Sequence, residues 1–269
     1  MRYYKNNGQE HGSGLARARH AVAAKNGFTE KDTALLEVPF LLAVVANTVP
    51  TTFWALCHTF SRFDVLDELR EELAGAITRD VNGGTATYTV EITNLKQDCP
   101  LLLSVYHEIL RTHSVLPSTR EVLEDTLLND QYLVKKGANI QMATRPVHYD
   151  PNIWGPDAQE MDLRRFLRKD HQKMNSFKFR TFGGAPHICP GRHFATTEII
   201  CTMALMVMRY DILPAAGSWK IPKQDQSVLA GVPPPVSDVP VIIKERPGWQ
   251  GEWAFNMGNA NLRFALASG

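Results

Sequence analysis

The chain has 269 residues, 44% of them hydrophobic, with 29 basic against 28 acidic side chains and a net charge of +1. That is enough apolar mass for a substantial core, and the even charge excludes a nucleic-acid surface and a polybasic membrane tail. The cysteines, Cys57, Cys99, Cys189 and Cys201, form no CxxC pair, and a chain this long needs no disulfide staples, so a reducing compartment is expected.

The opening MRYYKNNGQEHGSG is polar, lacks the apolar run of a signal peptide, and is expected to be irregular over residues 1–14. Ser13 or Gly14 starts a helix, LARARHAVAAKNG, which Gly27 ends. Thr29 opens TEKD, with acids in a first turn, and a long apolar helix runs from about Asp32 to Phe60. Within it VPFLLAVVANTVPTTFWALC is uncharged and long enough to cross a bilayer. Pro39, Pro50, Asn47, several threonines and the lack of flanking Lys or Arg clusters favour a helix buried in protein, with no membrane span.

A charged helix follows near Val65 to Thr78, its Glu and Arg on the solvent face, and Asn82-Gly83-Gly84 marks a turn before the alternating strand TATYTVEI. Asp98-Cys99-Pro100 opens a helix through Arg111. STREVLED reads as a strand, and QYLVKKGANIQMA as a hairpin around Lys136-Gly137. HYDPNIWGPDAQEMDLRRFL is a loop rich in Pro, Asp and Gly. A last long helix runs from about Arg192 to Tyr210, GVPPPVSDVPVIIKERP suggests a strand pair, and residues 249–269 show no pattern. The fold class is therefore mainly α with small β-sheets, in a single domain.

Between the loop and the last helix lies FGGAPHICPGRHFA, which sets Cys189 among glycines and prolines. A lone cysteine is ordinarily a small buried hydrophobe. Pro190 fits the first position of a helix, which places Cys189 at a helix N-terminus, where unpaired N–H groups favour a thiolate. Gly183, Gly184 and Gly191 let the backbone turn inward and let a flat group approach. Three uses are open: a nucleophile, which lacks a convincing base; a zinc ligand with His187 and His193 at unusual spacing; or an axial haem ligand, for which one thiolate suffices.

This segment resembles the haem-binding signature of the cytochrome P450 family. Glu108 and Arg111, in HEILR, look like the family's Glu-x-x-Arg pair, and Arg165 and Phe166, in MDLRRF, fall where it places a third, Arg-containing motif. The resemblance implies that Glu108, Arg111 and Arg165 interlock as a structural brace. It implies that Cys189 is the metal ligand, axial to haem iron, and that Phe182, Gly184, Gly191 and Ala46 border the cofactor. Two positions depart from the family: Ala185 stands where glycine is usual, and His187 where a propionate-binding arginine is usual. Arg120, in STREV, resembles the family's other propionate arginine.

The segment ANTVPTTFW resembles the family's long helix across the haem. Aligned by Ala46-Asn47-Thr48, the proton-relaying acid becomes Val49 and the threonine becomes Pro50, which should kink the helix and free a carbonyl. Asn47, Thr48 and Thr51 become the candidates for ordering water or oxygen; their alternative is satisfaction of the kinked backbone. The pattern is similar to the branch holding sterol 7α-hydroxylases and prostacyclin synthase.

The likeness covers residues 15–246 and only the C-terminal, haem-binding half of the family's fold, without its N-terminal half and anchor. A fragment of a longer protein or a truncated gene product is expected. The implied function is haem-thiolate hydroxylation of a small apolar substrate (a sterol, lipid or secondary metabolite) with dioxygen and electrons from an NADPH-dependent reductase, at the endoplasmic reticulum surface or in the cytoplasm. The alternatives are a peroxide-rearranging isomerase and a remnant that binds haem poorly.

Overall fold

The computed structural model describes residues 2–171, 177–184, 187–228 and 230–257. Helix accounts for 47% and strand for 18% of the described residues, so the architecture is mainly α with small sheets. Two compact units divide it, Met1–Ala46 and Asn47–Gly269.

The first unit carries α1 (Arg2–Lys5), a 3-10 turn (Gly8–His11), α2 (Gly14–Lys25) and the first half of α3 (Glu30–Phe60). Residues 1–14 are thus partly helical rather than irregular. Ser13 caps α2 by accepting from the Ala16 N–H at 3.2 Å, and Gly27 takes φ +78, the left-handed turn that ends it. Thr29 and Asp32 cap α3 reciprocally: Thr29 Oγ1 accepts from Asp32 N at 3.2 Å and Asp32 accepts from Thr29 N at 3.1 Å. Arg19 pairs with Glu37 at 3.2 Å and lies over the Phe40 ring.

Helix α3 alone among the described helices is long and apolar enough to cross a membrane. Leu35, Val38, Leu41, Leu42, Val45 and Val49 are exposed, whereas Trp54, Ala55, Cys57 and Phe60 of its C-terminal half are in the core of the second unit.

That core is built around α6 (Pro100–His113), buried on nearly every side, with α4 (Phe63–Ala76), α5 (Ile92–Gln97) and α9 (Arg192–Arg209) packed about it. Each fully buried Leu or Phe here contributes about 1.5–3 kcal/mol. Cys99, at the α6 N-cap, offers no side-chain cap. Glu72 of α4 supplies it instead, accepting from Leu101 N at 2.7 Å and Leu102 N at 2.9 Å, and burial pushes its carboxyl up despite these bonds. Arg70 donates to the carbonyls of Val207 and Tyr210 and to Asp211, closing the C-terminus of α9. Neither charge is on a solvent face, as the sequence suggested.

Strand β1 (Ile77–Asn82) takes residues assigned to the preceding helix: the helix stops at Ala76, and Gly83 and Gly84, both at positive φ, turn β1 back onto β2 (Thr85–Glu91). β9 (Glu252–Asn256) pairs parallel to β2, in a segment that had shown no pattern. Tyr88 anchors this sheet, stacked within about 5 Å of the Trp249 and Trp253 ring centroids and donating to the Gly248 carbonyl.

The hairpin expected around Lys136-Gly137 does not form. Asn129 and Asp130, both at positive φ, instead turn β4 (Thr126–Leu128) onto β5 (Tyr132–Val134), while β3 (Ser118–Glu121) pairs with β6 (Asn139–Met142). The segment read as loop starts at the last residue of α7 (Thr144–His148) and contains α8 (Pro151–Trp154), the latter capped by Asp150. β7 (Tyr210–Pro214) pairs with β8 (Val241–Glu245), so the tail contributes one strand and α9's exit the other.

Candidate functional site

Helix α6 puts Glu108 and Arg111 on one face, one turn apart, and a 3-10 turn (Arg165–Leu167) brings Arg165 to them. All three side chains are fully buried. Glu108 accepts from Arg111 Nε and Nη2 at 2.7 Å, from Arg165 Nε at 3.2 Å and from Asp162 N at 2.9 Å. The remaining guanidinium N–H groups reach the carbonyls of His148, Ala158, Glu160, Trp154 and Asp157. Such saturation is what lets buried charges persist. At the edge, Asp157 meets Arg165 at 3.1 Å, and its bond to Arg168, ahead of that to Arg165, holds its carboxyl down to about 2.

His148 joins this brace to the cysteine loop. Its Nδ1 lies 2.8 Å from the Arg111 carbonyl and its Nε2 accepts from Arg180 N at 2.8 Å, which fixes a neutral imidazole protonated on Nδ1. Burial pushes it down to about 4. Phe179 stacks on it at 5.3 Å. Sequence reading missed both His148 and Arg180; a histidine between Val147 and Tyr149, at the end of a five-residue helix, gave no periodic signal.

The cysteine loop is folded by its own backbone. Gly183, at φ +83, donates to the Arg180 carbonyl; Cys189 N donates to the Phe182 carbonyl at 2.9 Å, and His187 N to that of Gly184 at 3.1 Å. α9 begins only at Arg192, with Gly191 as N-cap, so Pro190 and Cys189 precede the helix rather than open it. Arg192 returns an N–H to the Cys189 carbonyl at 3.1 Å. Cys189 is exposed, unlike the buried Cys57 and Cys99, and a Cβ at Gly191 would stand 3.9 Å from its sulfur. Phe182 is half-buried against the core, Gly184 is buried and His187 exposed. Arg120, on β3, donates to the Gly184 carbonyl at 3.1 Å. Ala185 lies outside the described residues. Among those described, no three His, Cys, Asp or Glu side chains gather as a metal cluster.

At the proline of α3 the helix stays continuous. Thr51 Oγ1 donates to the Asn47 carbonyl at 2.6 Å and Thr52 Oγ1 to that of Thr48 at 2.9 Å, both within one turn of Pro50. The Asn47 amide oxygen accepts from Gly231 N at 2.8 Å and Val232 N at 3.2 Å. Val115 N donates to the Gly231 carbonyl and Trp54 Nε1 to that of Pro233, so the 231–233 segment is tied down from three directions. Asn47 thus commits its acceptor to a loop and keeps its amide N–H groups. Thr48 and Thr51 are buried. Ala46 ends the first unit, half-buried.

A family model described as Cytochrome P450 matches residues 9–239. The cytochrome P450 monooxygenase nodJ of Hypoxylon pulicicidum is 34% identical, over 99% of this chain and 54% of its own length. A cytochrome P450 monooxygenase of Gibberella zeae is 30% identical, over 91% and 50%. A cholesterol 7-alpha-monooxygenase of Cricetulus griseus is 30% identical, over 79% and 45%. The chain spans about half the length of the curated relatives it matches.

Proposed function

This chain belongs to the cytochrome P450 family, and from that premise we propose that it is the haem-binding half of a haem-thiolate monooxygenase hydroxylating a small apolar molecule. The observation that carries the reading is the exposed Cys189 on a backbone-bonded glycine loop that His148 ties to a saturated, buried Glu108–Arg111–Arg165 brace. The residues fit the group. The sulfur is not consumed by core packing, and Gly191 withholds a Cβ beside it. Arg180 keeps a buried Nε without a partner.

Cys189 would hold the haem iron through its thiolate. Phe182, Gly184 and Gly191 would shape the loop around it, and Arg120 and His187 would offer donors to haem carboxylates, His187 through a ring N–H. When bound, haem with a thiolate ligand supplies dioxygen activation. Asn47, through its amide N–H groups, and the Thr48 hydroxyl would orient water at the α3 proline, where the aligned position carries no acid, while Thr51 holds the Asn47 carbonyl beside them.

Electrons come from an NADPH-dependent reductase at the endoplasmic reticulum surface. A sterol, a lipid or a secondary metabolite fits a family whose matched members include a cholesterol 7-alpha-monooxygenase and fungal monooxygenases. The test is turnover by haem-loaded protein with reductase, NADPH and isotopically labelled dioxygen. The expected product carries one labelled hydroxyl and requires NADPH. A product rearranged from a peroxide without NADPH would replace hydroxylation with isomerisation.

A further inference from the structure

Among its described residues, the second unit contains a cation with no anion to answer it. Arg180 is only 7% exposed. Its Nε is buried with no hydrogen-bond partner, and its Nη2 has only the Met142 thioether, at 3.4 Å. A buried, unpaired guanidinium is costly, and the neighbouring arginines of the brace show what this fold does where it has carboxylates to offer. Arg180 is held in place by its own backbone, whose N–H is bound to His148. Its Nη2 lies 3.3 Å from where a Cβ at Gly184 would stand, so the glycine leaves room for it. On the same glycine, Arg120 Nη2 reaches the carbonyl at 3.1 Å. Neither arginine forms an ion pair among the described residues. Two guanidiniums therefore approach Gly184, five residues before Cys189, where no described residue supplies a negative charge.

We propose that Arg180, with Arg120, forms a carboxylate-binding site on the cysteine loop that takes a haem propionate, in a loop where His187 stands at the position of the family's arginine. The assignment rests on the haem reading above and adds to it. A guanidinium presents a fork of N–H donors that matches a carboxylate, and a group entering here would complete the orphaned Nε as well as neutralise the charge.

The test compares haem with its dimethyl ester, in which both propionates are blocked, by titration of the purified full chain and following the Soret band. Wild type is expected to bind haem about tenfold or more tightly than the diester, a difference of about 1.4 kcal/mol for each factor of ten. Arg180→Gln should lower haem affinity while leaving diester affinity unchanged, and Arg180→Lys should restore part of the preference. The ratio is read within one folded protein, so a loss of stability lowers both affinities and leaves it unmoved. An Arg180→Gln chain that keeps the wild-type ratio overturns this site while leaving haem binding intact. A wild-type chain that binds neither porphyrin overturns the haem reading and the site with it.

Discussion

Replacing Glu108 by Gln removes the carboxylate shared by two fully buried guanidiniums and keeps the size of the side chain. Glu108 accepts four hydrogen bonds, three of them from Arg111 and Arg165. An amide can accept at one end only, and its NH2 would point at an arginine donor. Breaking a buried ion pair by changing one partner costs about 3–5 kcal/mol, and here one carboxylate serves two partners, so the upper part of that range is expected. The whole stability of a domain is about 5–15 kcal/mol. Urea unfolding followed by tryptophan fluorescence reads this directly: with a slope of about 3 kcal/mol per molar urea, the midpoint should fall by about 1 M or more. The comparison is Arg164→Ala, which breaks two surface bridges, to Asp64 and Glu68, and should cost less than about 1 kcal/mol. If Glu108→Gln shifted the midpoint no further than Arg164→Ala, the buried brace would not be what holds this half of the chain together.

Gly231→Ala should displace the 231–233 segment, because the added Cβ would stand 2.9 Å from the Asn47 amide oxygen; faster hydrogen exchange at Val232 is the readout, and Asn47→Asp, which keeps an acceptor, should leave exchange slow. Glu72→Ala leaves the Leu101 and Leu102 N–H groups uncapped, for a loss of about 1–2 kcal/mol in urea; an unchanged midpoint would mean that water caps α6 as well. Acid should destabilise the fold before its carboxylates titrate. Burial pushes His107 and His148 down to about 4 and His113 to about 3, from an ordinary value of 6.5. The unfolded chain then binds protons that the folded chain refuses, so stability is full above pH 6.5 and falls as pH drops towards 4. Each histidine accounts for a loss on the order of 2–3 kcal/mol by pH 4. A urea midpoint flat between pH 6.5 and 4.5 would show these imidazoles to be solvated.

Local signals carried most of the helices. Ser13, Gly27 and the Thr29–Asp32 pair cap as their residue types require, because a cap is a local hydrogen bond. The brace was legible only through family resemblance: spacing alone puts Glu108 and Arg111 together, but Arg165 arrives from 57 positions away. Partners set by distant contacts were not legible. Glu72 and Arg70 read as surface charges because the helix termini they close belong to α6 and α9. The strand after Lys136-Gly137 pairs with β3 rather than its neighbour, since Asn129-Asp130 supplies the tighter turn. β9 could not be found without β2 beside it, its residues being mostly exposed. The sequence likewise could not show that the Asn47 oxygen is bound to amides 184 and 185 positions further on.

The most direct measurement is the absorption spectrum of the haem-loaded chain, reduced under carbon monoxide, for wild type and for Cys189→Ser. Wild type should give the red-shifted Soret band of a thiolate-ligated iron, and the variant should lose that band while its far-ultraviolet circular dichroism stays unchanged. A wild-type spectrum of the histidine-ligated kind, or a thiolate band that survives in the variant, would place the iron on some other residue.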